Sequence, residues 1–235
     1  MKPITPRSER STAIAVGVLY VVATLSGVLA AIALGPLGSH PETFLDLAAS
    51  KPRVLTAAFF ELVMAVTVAG VAFALFPVLW SDSHTLGRRG LAVWYLGSRI
   101  TEGAVFLTGI LGLLSLLALG RTVADSGATP GLYLPVAAAL KALLEYAFVL
   151  GQTVFCVGTA ILYYLLFQSR RVPGWLSVWG LIAAPLMLIA GFLLPFTGDP
   201  NSAVASILYA PMALQEMVLA AWLILRGFNA PPEAA

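Results

Sequence analysis

Six apolar stretches, each long enough to cross a bilayer, constrain this chain more than any other feature. They run over residues 12–34, 53–80, 90–118, 135–167, 175–197 and 203–226, and a membrane helix needs roughly 17–25 apolar residues. Lysine, arginine, aspartate and glutamate together make up only 10% of the 235 residues, while apolar types make up 60%. Soluble domains carry about 25% charged residues, so a water-soluble fold would lack the charge to cover its surface. The predicted fold is therefore all-α: a polytopic bundle of about six transmembrane helices, forming one domain over residues 1–235 with the lipid bilayer as its solvent. The second and fourth stretches are long, which predicts tilt or ends that project into water. A net charge of +2 gives no reason to expect a nucleic-acid partner, and Cys156, the single cysteine, excludes an intrachain disulfide. Lys2, Arg7 and Arg10 precede the first stretch in the manner of a signal peptide, with Ala31-Ile32-Ala33 a loose cleavage site. The run is longer than a signal core of roughly 7–15 residues, and it reads as the first membrane helix.

Turn chemistry separates the stretches. Gly35-Pro36-Leu37-Gly38, Ser81-Asp82-Ser83-His84, Gly127-Ala128-Thr129-Pro130-Gly131, Val172-Pro173-Gly174 and Thr197-Gly198-Asp199-Pro200-Asn201 mark the loops, and Pro41 to Ser50 suits a short surface helix. Lys2, Arg7, Arg10, Arg88, Arg89, Arg170, Arg171 and Arg226 fall on one side, against Lys51, Arg53 and Arg121 on the other. Under the positive-inside rule this bias places both termini in the cytoplasm, and Trp80, Trp94 and Trp175 mark the same face.

Inside the stretches lie four glutamates, Glu61, Glu102, Glu145 and Glu216, with Arg99 and Lys141. A charge at the bilayer centre costs at least about 2.5–3.5 kcal/mol, so these side chains are expected to turn inward and meet. Arg99 and Glu102 are three residues apart and Lys141 and Glu145 four, which puts each pair on one helix face. Glu61 and Glu216 have no such neighbour. Lys141, Glu145, Gln152, Cys156, Thr159 and Tyr163 form a polar stripe of helical period, interrupted by Phe148, fit to line an aqueous cavity or a helix interface. Ala57, Ala58, Ala65, Ala69 and Ala72 allow close approach of a neighbour beside Glu61. Pro211, one and a half turns before Glu216, either breaks the last helix or merely kinks it, and Pro185 and Pro195 do the same for the fifth. The plainer reading of the charged pairs is that they fix helix register.

Several chemistries lack their motifs. His40 and His84 fall in loops, no Glu-x-x-His pair or H-E-x-x-H element occurs, and no nucleophile elbow or phosphate-binding glycine loop is present, so no cofactor or metal is expected. An all-carboxylate cation site from Glu61, Glu102 and Glu216 stays open as a minor reading. A likeness between residues 61–65 and 216–220 is attributed to coincidence among Leu/Val/Ala-rich helices.

The ordered runs FELVMAV (60–66), RITEG (99–103), WLSVWGLI (175–182) and EMVLAAWLILRGF (216–228) resemble a bacterial six-helix membrane family catalogued as domain-of-unknown-function family 4386. The resemblance covers nearly the whole chain. It implies a bacterial inner-membrane location and places Glu61, Arg99, Glu102 and Glu216 at the family's polar motif positions. Members often carry Asn before the last glutamate, where this chain has Gln215. The family has no assigned activity. The leading expectation is a protein that binds or transports a small molecule, ion or proton at a buried Glu/Arg cluster, with Arg99 orienting a polar or anionic ligand group. Candidate ligand or proton-binding residues are Glu61, Arg99, Glu102, Lys141, Glu145, Gln152, Gln215 and Glu216. The alternatives are an intramembrane enzyme acting on a lipid-like substrate with glutamates as acid and base, and a non-catalytic structural or sensor protein. Six helices without inverted repeats argue against a monomeric transporter, an objection that an oligomer would ease.

Overall fold

A computed structural model describes residues 6–35, 44–197 and 203–230. The remaining loop segments lie outside the described residues, and with them His40 and most of the 197–201 turn. Helix α1 spans Pro6–Leu34, α2 Phe44–Ala49, α3 Lys51–Ser81, α4 Leu86–Ser126, α5 Leu134–Ser169, α6 Gly174–Thr197 and α7 Ala203–Leu225. A single 3₁₀ turn at Pro130–Tyr133 precedes α5, and the described residues contain no strand. Six of these helices are long and apolar enough to cross a membrane, all but the short α2. Large apolar side chains such as Ile32, Phe59, Val66, Leu111 and Ile182 are exposed along their outer faces, as suits a multi-pass membrane protein. The helices pack in a ring, α1–α3–α4–α5–α6–α7, which closes through contact between α7 and α1.

The helix ends follow from local chemistry. Thr85 caps α4 by accepting from the Arg88 amide at 3.3 Å. Gly127, with φ of 65°, ends it in the left-handed region that favours glycine. Pro52 and Pro135 occupy first-turn positions of α3 and α5, where a missing N–H leaves no bond unmade. The guanidinium of Arg10 donates to the last carbonyls of α7, at 3.1 Å to Leu223 and 2.7 Å to Ile224. Both ends of the described chain therefore lie on one face of the ring, which also carries the 82–85 and 170–173 turns and is rich in arginine.

On that face Arg171, 3% exposed, gathers three segments. Its Nη2 meets Asp82 at 2.7 Å, its Nη1 meets Glu9 at 3.1 Å, and the Asn229 amide donates to its carbonyl at 2.8 Å. Burial works against the Arg171 cation, but the Asp82 and Glu9 carboxylates outweigh it and hold its pKa above the ordinary guanidinium value. The sequence reading counted Arg171 only as a topological charge.

One expectation needs correction and two take definite form. Helix α4, expected over 90–118, runs for 41 residues, or about 60 Å, and exceeds the second stretch in length. Both it and α5, at 36 residues, are longer than an upright helix needs to cross a hydrocarbon layer of roughly 30 Å, as tilt or a projecting end would accommodate. The expected short helix is present as Phe44–Ala49: Asp46 and Ala49 are exposed on its outer face, while Phe44 and Leu47 are buried in a second apolar cluster with Val54, Leu113, Leu116 and Val123. At Gly120 the Phe44 carbonyl lies 2.2 Å from where a Cβ would stand, so only glycine permits this seating. Pro211 sits inside a continuous α7, in keeping with the kink reading and not with a broken helix.

Candidate functional site

A cavity of about 290 Å³ opens inside the ring, lined by residues from all six long helices. Its deepest lining residues, counted from the far face, are Tyr20 on α1, Val71 on α3, Arg99 on α4, Phe155 on α5 and Glu216 on α7. Toward the arginine-rich face it is closed by the main core, in which Val16, Leu75, Tyr95, Leu162, Tyr163, Leu219 and Leu223 interdigitate. Lining continues only toward the far ends of the helices, through Val28, Met64, Phe106, Phe148 and Tyr209. The space is a blind recess with its charged groups at the closed end.

Arg99 is the largest polar side chain buried there, at 2% exposure. Its Nη1 meets Glu102 at 2.9 Å, and its Nη2 donates to the Thr159 hydroxyl at 3.1 Å. Aromatic faces flank it, with the guanidinium carbon 4.7 Å from the Phe155 ring centroid and 5.7 Å from that of Tyr95. A buried ion pair survives only where its remaining hydrogen-bonding capacity is largely met, and this one has a carboxylate, a hydroxyl and two rings. Arg99 Nε and the hydroxyls of Tyr20 and Tyr95 are buried beside one another, with the Tyr95 hydroxyl in reach of both Tyr20 and Arg99. Gln152 crosses the other wall: its amide donates to the Met187 carbonyl at 2.9 Å and accepts from the Tyr209 hydroxyl at 3.2 Å. Glu216 lines the cavity and has no hydrogen bond or ion pair among the described residues. The closed end thus holds two carboxylates and one guanidinium, a formal excess of one negative charge when both acids are ionised.

The expected site residues divide. Arg99, Glu102, Gln152 and Glu216 come together around the cavity. Glu61 does not line it. It lies on the same α3 face as Met64, Val68 and Val71, three residues nearer the far end, and it has no polar partner among the described residues. Lys141 and Glu145 pair with each other, but Glu145 is 60% exposed and neither reaches the cavity. The expectation of one inward locus fails here because this pair lies on the exposed part of α5. About 30 Å counted from Ser169 ends near Val149, a turn short of Glu145, so a helix of this length leaves room for Glu145 in water. Gln215 faces away from Glu216, between α5 and α6, where its amide bonds the Tyr163 hydroxyl and donates to the Leu176 carbonyl at 3.1 Å. It is a packing residue.

The polar stripe of α5 is interior from Gln152 through Tyr163, with Cys156 and Thr159 buried. Phe148 marks where its character changes. Sequence reasoning missed Tyr20 and Tyr209, lone hydroxyls among apolar neighbours on α1 and α7. Only their fit to the buried helical period of those segments was a signal.

No curated protein and no solved structure matches this chain. A family model, described as Domain of unknown function (DUF4386), matches residues 15–227, the greater part of the sequence. All the cavity-lining residues fall within that span, which takes in the six long apolar helices except for the first turns of α1. The chain is a member of the DUF4386 family.

Proposed function

We propose that this protein binds a small molecule in the cavity at the centre of its helical ring, in the inner membrane of a bacterium with both termini cytoplasmic. The observation that carries the reading is the carboxylate of Glu216, without a hydrogen bond or ion pair among the described residues, at the closed end of a mostly apolar recess. Ligand sites are typically concave and mostly apolar, with few convergent polar groups, and of roughly 300–1,000 Å³. This cavity, at about 290 Å³, falls just below that range. The Arg99–Glu102 pair is largely satisfied internally, so it shapes the recess, and Glu216 is left to meet the ligand. The expected role of Arg99 as an anion clamp is correspondingly weaker. Closure on the arginine-rich side favours binding over transport, because passage would require the packing around Tyr95 and Tyr163 to part.

Filling the recess tests this. Ala213 lines it, and Ala213→Phe would occupy much of the space. Native mass spectrometry of the protein released from mild detergent should show a small bound mass that the variant lacks. Bound mass retained in full by a folded Ala213→Phe protein would overturn the proposal.

A further inference from the structure

We infer that the ligand is a small lipophilic organic cation, an amine or quaternary ammonium with an apolar or aromatic body. This rests on the cavity being a ligand site. Three features of the recess converge on that class. Its walls carry the aromatic rings of Tyr20, Phe106, Phe148, Phe155 and Tyr209, together with three methionines. Ring faces attract cations, and aromatic cages recognise quaternary ammonium groups in particular; thioethers adapt to irregular apolar bodies. The closed end holds carboxylates in excess over guanidinium, and the one without a partner is Glu216. The Tyr20 hydroxyl, buried in the lining beside that of Tyr95, keeps a lone pair that can accept an ammonium N–H. The pocket already holds one organic cation by the same chemistry, since the Arg99 guanidinium rests against Phe155 at 4.7 Å and pairs with Glu102. That pairing matters: a bare arginine would repel a second cation, whereas a neutralised one leaves the field of Glu216 to act.

The test is a charge series on one skeleton. Benzyltrimethylammonium, its neutral carbon isostere neopentylbenzene, and the anion phenylacetate are titrated calorimetrically into the purified full chain in non-ionic detergent, with titrations into empty micelles subtracted. The cation should bind at least about tenfold more tightly than the isostere, and phenylacetate more weakly than either. In Glu216→Gln the advantage of the cation should fall to about threefold or less, with the affinity for the neutral isostere unchanged. Equal binding of cation and isostere by the wild-type protein, or tighter binding of the anion, would overturn the inference without any variant. So would an unaltered cation advantage in a folded Glu216→Gln protein. If none of the three binds and Ala213→Phe loses no bound mass, the cavity reading itself fails, an outcome distinct from failure of the charge assignment.

Discussion

The contrast between two glutamates shows what burial does to a single residue. Glu102 is held by Arg99 at 2.9 Å in surroundings with almost no access to solvent. Replacing it with alanine strands a guanidinium, and breaking a buried pair in this way typically costs about 3–5 kcal/mol. Glu102→Ala should therefore melt well below the wild type in detergent, or fail to accumulate. Glu216 has no such bond to lose, and Glu216→Gln should leave the melting temperature unchanged or raise it, since unpaired polar groups kept for function often cost stability. A large drop for Glu216→Gln would mean the carboxylate holds the fold together. Lys141→Ala, which breaks a pair whose acid is 60% exposed, should change stability by less than about 1 kcal/mol in the same assay. Sequence spacing treats these two ion pairs alike. Only their position along an exposed or a buried part of a helix separates them.

At the level of the helix, two glycines of α4 make opposite demands. A Cβ at Gly90 meets nothing within 4 Å, while one at Gly120 would meet the Phe44 carbonyl at 2.2 Å. Glycine in a helix interior is worse than alanine by roughly 0.5–1 kcal/mol, so Gly90→Ala should stabilise the protein slightly. Gly120→Ala should instead lower the melting temperature and make the α2 segment easier to cleave by protease, because α2 must lift away. Two gains of equal size would show that α2 is not seated on α4. Helix existence was legible from apolar runs, and most boundaries fell within a few residues of those expected. The exceptions were α1, which begins earlier at Pro6, and α4, whose ends carry Arg88, Arg89 and Asp125. Such residues read as loop in an apolar scan although they simply continue a helix into water. Which face each residue presents was legible where polar groups recur, as along α5 from Gln152 to Tyr163. It was illegible at Gln215, whose direction is set by Tyr163 and the Leu176 carbonyl on other helices.

For the molecule as a whole, topology is the property most open to check. Reporter fusions in the 82–85 and 127–133 turns should report opposite compartments, with the first cytoplasmic; agreement between them would contradict the ring described above. The cavity was foreseeable as a gathering of Arg99, Glu102 and Glu216, but its aromatic wall was not, since apolar side chains lining a void and those filling a core read alike in sequence. The ring carries one more implication, for biogenesis. Helix α1 seals against α7, and Arg10 engages carbonyls that exist only once the chain has been made through Leu225. During synthesis from the N-terminus, α1 must wait beside an open seam while five further membrane segments are inserted. The final helix acts as a keystone, and a chain arrested before it would present that seam to neighbouring proteins and to quality-control proteases.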